Sequence, residues 1–228
     1  MMRLGDIALF IAISSIESIS ILVFIFTVFR FEYRYLKYHM AFIALALSFV
    51  SYSMRAENLS IFNPFVQLAL LIVLIWLLFR VHLLHAVIMG AVGYLSYGLI
   101  QGIIVYFVGR LEHDPQWVTD VSEITLIMHV VGLLSAGVTF GISFLLKYWN
   151  LGFAFIPSVE SPRRNVKLKD NAAFLLTILI SVIGVGITYI LIMMKTDPVY
   201  LFLFILIMVV SLSILLYLTT EKERKFFS

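Results

Sequence analysis

Apolar residues in this chain neither alternate with polar ones nor keep to one helical stripe. They come in long unbroken runs separated by short polar stretches. A bilayer core of about 30 Å is crossed by roughly 20 apolar residues in a helix. Seven runs reach that scale: about 7–29, 36–53, 62–79, 82–108, 122–147, 172–194 and 198–219. The second and third sit near the minimum, and the fourth and fifth are long enough to tilt or emerge from the bilayer. Strands of a membrane barrel would instead alternate over about ten residues. The pattern predicts an all-α fold: a polytopic bundle of seven transmembrane helices forming a single integral membrane domain over 1–228.

Composition agrees. The chain has 228 residues, 62% hydrophobic and 13% charged, where a soluble domain is about 25% charged. A domain of this size cannot hide that much apolar surface in one core. A soluble enzyme, a nucleic-acid-binding domain and a disordered linker are excluded. The absence of cysteine rules out disulfides, cysteine–zinc sites, thiol catalysis and palmitoylation. The first run lacks a cleavage pattern and is too long for a signal-peptide core, so it reads as an uncleaved span.

The loops set orientation, because bases gather on the cytoplasmic side. With the N-terminus outside, Arg30, Arg34, Lys37, Arg80, Lys147, Arg163, Arg164, Lys167, Lys169, Lys222, Arg224 and Lys225 fall inside. Arg3, Arg55, Arg110 and Lys195 fall outside. Twelve against four predicts N-out, C-in. The long outer loop, about 109–121, carries Glu112, His113, Asp114 and Asp120, with Trp117 as an interfacial anchor. The long inner loop, about 148–171, opens with the aromatic stretch Trp149 to Phe155, breaks at Pro157 and Pro162, and ends in the basic run Arg163 to Lys169. That loop reads either as a positive retention signal with headgroup contact or as a docking surface for a cytoplasmic partner.

Polar groups inside hydrocarbon are costly and mark sites. Glu17 is the only acid near the centre of a span, and positions 14, 17, 18 and 21 share its helical face. It reads either as a ligand-binding or proton-linked group facing the bundle interior, or as a neutral carboxyl bonded to a neighbouring helix. In the fourth run, Gly90, Tyr94, Gly98 and Gly102 follow i, i+4 steps, and Gly98 and Gly102 form a GxxxG pair that admits a close helix. Tyr94, Tyr97 and Gln101 lie beside that ridge, as a pocket wall or as part of a packing seam. The fifth run repeats the theme with Gly137 and Gly141, the small contacts Gly132 and Ala136, and a polar stripe of Ser135, Thr139 and Ser143. The fourth and fifth helices are therefore expected to be the tightly packed centre. His129 lies in the outer part of the fifth run, as a ligand or as a bonded core histidine. His82 and His85 have no carboxylate beside them, so no metal site is assigned and no cofactor is expected.

The chain lacks the HExxH, GxGD, GxxxxGK[ST] and GxSxG signatures, and its seventh run holds no lysine for a Schiff base. No enzymatic activity is expected.

The stretch Phe79 to Phe107, FRVHLLHAVIMGAVGYLSYGLIQGIIVYF, resembles the membrane sensor module of peptide-sensing histidine kinases of the accessory gene regulator type, found in Gram-positive bacteria. The likeness is one of overall plan. It implies a bacterial cytoplasmic membrane, an extracellular peptide ligand and a signal passed inward through the last helix. The chain departs from that plan after the last run: Thr219 to Ser228, TTEKERKFFS, offers no phospho-accepting histidine and no ATP-binding domain, so kinase activity is not carried over.

The function expected is a receptor or sensor without its own catalytic domain. It would bind an extracellular peptide or small molecule through Glu17, Tyr94, Tyr97, Gln101 and His129 and signal to a cytoplasmic kinase or another membrane subunit. A transporter subunit and a structural or assembly protein are the alternatives, and a homodimer through the small-residue seams remains open. The lipid bilayer is the one partner common to all three.

Overall fold

The computed structural model describes residues 4–31, 36–57, 59–111, 126–154, 172–194 and 198–227. Within them the chain forms seven α-helices and a short 3-10 turn, with no strand. The helices are α1 (Leu4–Val28), α2 (Lys37–Ala56), α3 (Asn63–Phe79), α4 (Leu83–Leu111), α5 (Leu126–Tyr148), α6 (Ala172–Met194) and α7 (Pro198–Phe227), with the turn Ser60–Phe62 leading into α3. Each apolar run thus becomes one helix. In an apolar medium a helix satisfies every backbone N–H and C=O within its own segment.

Five helices are long and apolar enough to cross a membrane: α1, α3 with its preceding turn, α4, α5 and α7. In α6 the shorter stretch Ala172–Ile187 is apolar. The least apolar helix is α2. It buries Met40, Ile43, Ala44, Leu47, Ser48 and Ser51 and exposes Phe42, Leu45 and Phe49 on its other side. Residues at those spacings share a helical face, so α2 presents one side to the bundle and an apolar side outward. The chain is a helical membrane protein.

The most enclosed of the candidate spans is α4, and its glycines explain why. A side chain at Gly90 would meet Ile72 of α3, one at Gly93 would meet Ile25 of α1, and one at Gly98 would meet Met208 of α7. The expected single ridge along Gly90, Gly98 and Gly102 therefore serves two neighbours. An i+4 step overshoots a full turn by about 40°, so the ridge winds around the helix from α3 to α7.

The expected tight centre holds for α4 and is corrected for α5, which is less enclosed than α1. The chief neighbour of α5 is α1, and α4 packs mainly on α7 and α3. On α5 the buried face is Val131, Gly132, Ser135, Ala136, Thr139 and Ser143. Gly137 and Gly141 face away from the rest of the chain: among the described residues nothing lies within 4 Å of where their side chains would begin. Their face carries exposed Leu133, Leu134, Val138 and Leu145. The polar stripe on the buried face is satisfied locally. Ser135, Thr139 and Ser143 each donate to the carbonyl four residues back, at 2.7 Å, which is how hydroxyls settle in apolar helices.

At the end of the bundle where α1 finishes, the chain after α5 folds back. Asn150 takes a left-handed backbone conformation, a usual helix stop, and the Arg30 guanidinium donates to its carbonyl. Phe153 N–H then donates to Val28 C=O at 2.6 Å. Gly152 lies at φ +149°, where a side chain would press on Val28 C=O at 2.7 Å, so only glycine fits this close approach without strain. The start of the aromatic stretch after Trp149 thus rests on the protein, with Phe153 beside Phe29. Glu112, His113, Asp114, Trp117 and Asp120, and the inner segment with Pro157, Pro162 and Arg163 to Lys169, lie outside the described residues.

Candidate functional site

The bundle encloses a cavity of about 350 Å³ whose lining includes all five residues singled out above: Glu17, Tyr94, Tyr97, Gln101 and His129. Small-ligand sites begin at about this size. The lining comes from the first part of α1, the end of α2, the start of α3, the second half of α4, the start of α5, the second half of α6 and the start of α7. Such alternation is what antiparallel neighbours give when a cavity lies in one half of a bundle, here the half in which α1 begins.

Glu17 reaches across from α1 to α5. Its carboxyl oxygen occupies the space a side chain at position 132 would need. Gly132 is thus required for this approach, a more definite role than the small contact expected of it. Tyr97 comes from α4 and is 6% exposed. Its phenol lies beside the Glu17 carboxyl and the Ser135 hydroxyl, yet its oxygen has no hydrogen-bond partner of good geometry among the described residues. Buried hydroxyls are normally paired, and the Glu17 carboxyl and Ser135 hydroxyl are the neighbours that can pair this one. Tyr94 and Gln101 follow on the same side of α4, and His129 and Met128 border the cavity from the first turn of α5.

Several lining residues were missed by sequence reasoning. Arg55, counted as an outer-loop base, ends α2 with its guanidinium over the Phe10 ring, 5.2 Å from the centroid. Its Nη1 lies 3.8 Å from the Met128 sulfur, a weak acceptor. Its Nε is buried without an acceptor among the described residues. Arg55 is the one guanidinium or ammonium on the described lining, and Glu17 the one carboxylate. Tyr189 of α6, within the electrostatic reach of Arg55, also lines the cavity. So do Asn63 and Gln67 of α3, which brace α2: Gln67 Nε2 donates to Leu47 C=O at 2.8 Å and Asn63 Nδ2 to Ser51 Oγ at 3.3 Å. The rule that found Glu17, a polar group inside an apolar run, also picks out Gln67. Nothing local marks Arg55, because its partner Phe10 lies on another helix.

Gly98 and Gly102 lie on the cavity wall too. There they admit Met208 and Phe204 of α7, so a seam residue and a wall residue are the same residue. His82 and His85 sit at the other end of α4, rings 6.0 Å apart, and no group of three or more metal-ligating side chains occurs among the described residues.

The chain matches no family model, no curated protein and no solved structure.

Proposed function

We propose that the protein is a membrane-embedded receptor that binds a peptide or small ligand in this cavity and passes the event to a cytoplasmic partner. It would cross the bilayer seven times with its N-terminus outside, in a bacterial cytoplasmic membrane. One observation carries the reading: polar groups from α1, α2, α4, α5 and α6 converge on a space large enough for a ligand, and one of them, Arg55, buries its Nε without an acceptor among the described residues. A bundle selected only for stability would fill such a space or pair that donor, since voids and unpaired buried groups each cost free energy. Orientation follows from charge. Among the described residues, Arg30, Lys37, Arg80, Lys147, Lys222, Arg224 and Lys225 lie toward the end opposite the cavity, so the positive-inside rule turns the cavity outward.

The test is gentle extraction from the producing membrane followed by native mass spectrometry. The wild-type protein is expected to carry a bound molecule. Ser14→Phe and Gln101→Trp fill the cavity from α1 and α4 and should release it, whereas Gly141→Leu, on the outer face of α5, should retain it. Equal occupancy in all four proteins, or none in wild type, overturns the reading.

A further inference from the structure

The cavity has one cation, and its surroundings leave that cation short of acceptors. Among the described residues, the Arg55 guanidinium directly contacts an aromatic face and a thioether. A guanidinium has five donors in a fork that matches a carboxylate. Glu17 is within its electrostatic reach and does not fill the fork: its carboxyl is seated against Gly132, and the Arg55 Nε is left without an acceptor among the described residues. Two further donors border the same end of the cavity, the His129 ring and the Tyr189 hydroxyl, and both are within the electrostatic reach of Arg55.

The rest of the wall divides by chemistry. Phe65, Val182, Val185, Leu201 and Phe204 give an apolar side, and the Gln101 amide and the Tyr97 hydroxyl give polar points. A matching ligand has a carboxylate, an apolar body and an amide.

We propose that Arg55 is an oxyanion subsite that receives the carboxylate of an N-acylated amino acid or of the C-terminal residue of a short peptide. The inference rests on the ligand-binding reading above and names its ligand class. Arg55 holds the carboxylate through its fork, His129 and Tyr189 supply additional donors, the ligand's side chain occupies the apolar wall, and its amide meets Gln101 and Tyr97.

The experiment uses the full chain in phosphatidylcholine nanodiscs and equilibrium dialysis with four probes. N-acetyl-L-phenylalanine carries the carboxylate, N-acetyl-L-phenylalaninamide replaces it with a neutral group, L-phenylalaninamide carries a cation instead, and hexanoate is a carboxylate with no peptide group. The acid is expected to bind at least tenfold more tightly than either amide and than hexanoate. Arg55→Gln should remove the preference for the acid, while wild-type helical circular dichroism and thermal unfolding in the nanodisc show that the variant is folded. Arg55→Lys, which keeps the charge and loses the fork, should retain part of the preference. If acid and amide bind wild type equally and Ser14→Phe abolishes both, the oxyanion subsite is wrong and the ligand-binding reading stands. If hexanoate equals the acetylamino acid, the peptide-type assignment is overturned. If no probe binds in the millimolar range, or Ser14→Phe changes nothing, the subsite is rejected. A failed native mass spectrometry test then rejects the binding reading independently.

Discussion

Gly93→Ala measures how closely α1 and α4 approach. The added methyl carbon would lie 2.5 Å from Ile25 Cδ1 and closer still to Cγ1. Ile25 is fully buried, so it has no open direction in which to turn. Overpacking of this kind costs about 1–3 kcal/mol. Alanine also favours a helix over glycine by roughly 1 kcal/mol, which blurs the sign of the single variant. Gly141→Ala supplies the reference, because it gains the same propensity with nothing within 4 Å of the new carbon. The gap between the two variants, about 1–3 kcal/mol with Gly93→Ala the less stable, isolates the clash. Ile25→Ala removes both offending carbons. In that background Gly93→Ala should behave like Gly141→Ala, giving a coupling energy of the same size. Equilibrium unfolding by steric trapping in bicelles reads all four free energies. A gap below about 0.5 kcal/mol, the usual error of additivity, or an additive cycle would refute the close approach. A loss of stability in Gly141→Ala equal to that of Gly93→Ala would instead show the outer face of α5 packed against a second copy.

Three further expectations can be checked directly. Glu17→Gln keeps the shape of the side chain against Gly132 and should shift stability by less than about 1 kcal/mol while weakening the bound molecule at least tenfold in dialysis; wild-type affinity at every pH would remove Glu17 from the site. The chain has no cysteine, so Gln101→Cys gives a single label. An impermeant maleimide should modify it from outside intact cells, ligand should protect it, and labelling only after lysis would reverse the orientation. Glu223→Ala deletes the acceptor of the Ala154 N–H, a 2.9 Å bond, and hydrogen exchange at 151–154 should quicken about tenfold for each 1.4 kcal/mol lost; unchanged exchange would mean that this bond does not hold the segment.

What could be read ahead of the structure follows from which interactions are local. Helices α1 to α7 were legible because an unbroken apolar run has one stable form in hydrocarbon. Glu17 and Gln101 were legible because a polar group there is conspicuous, and both border the cavity. The neighbours of each helix were not. The spacing of Gly137 and Gly141 shows that α5 has a flat side, and says nothing of which helix takes it; α1 sits instead on the side of Gly132 and Ala136. Likewise Gly90 and Gly98 look like one ridge in sequence, and the winding of the helix sends them to α3 and α7. Arg55 fails for a further reason. A charge at a helix end reads as solvated, and only the arrival of Phe10 from α1 turns it inward.

Under the proposed reading, α7 is the element that carries the signal. Its outer half forms cavity wall through Phe204 and Met208, and both residues lie against glycines of α4. Two polar contacts are among those its other end makes. Glu223 accepts the Ala154 N–H, and the Lys222 ammonium lies over the Phe174 ring of α6, 5.2 Å from the centroid. Met208 and Glu223 are fifteen residues apart on one continuous helix, roughly 22 Å at 1.5 Å per residue. Phe204 and Met208 are seated against the glycines of α4 and Leu215 is buried in the core, so a shift of about 1–2 Å, the usual size for helix movements of this kind, repacks these side chains. The two polar contacts at the far end add a small restraint to that packing. A hydrogen bond to a charged group contributes about 1.5–3 kcal/mol, and a cation–π contact about 0.5–2 kcal/mol. A ligand that prefers the shifted arrangement by a hundredfold supplies about 2.7 kcal/mol, which is of the same size as these contacts. Glu223→Ala should therefore do more than loosen residues 151–154. It should raise ligand affinity, because the ligand no longer works against that bond, and a variant with wild-type affinity would separate the cavity from the far end of α7.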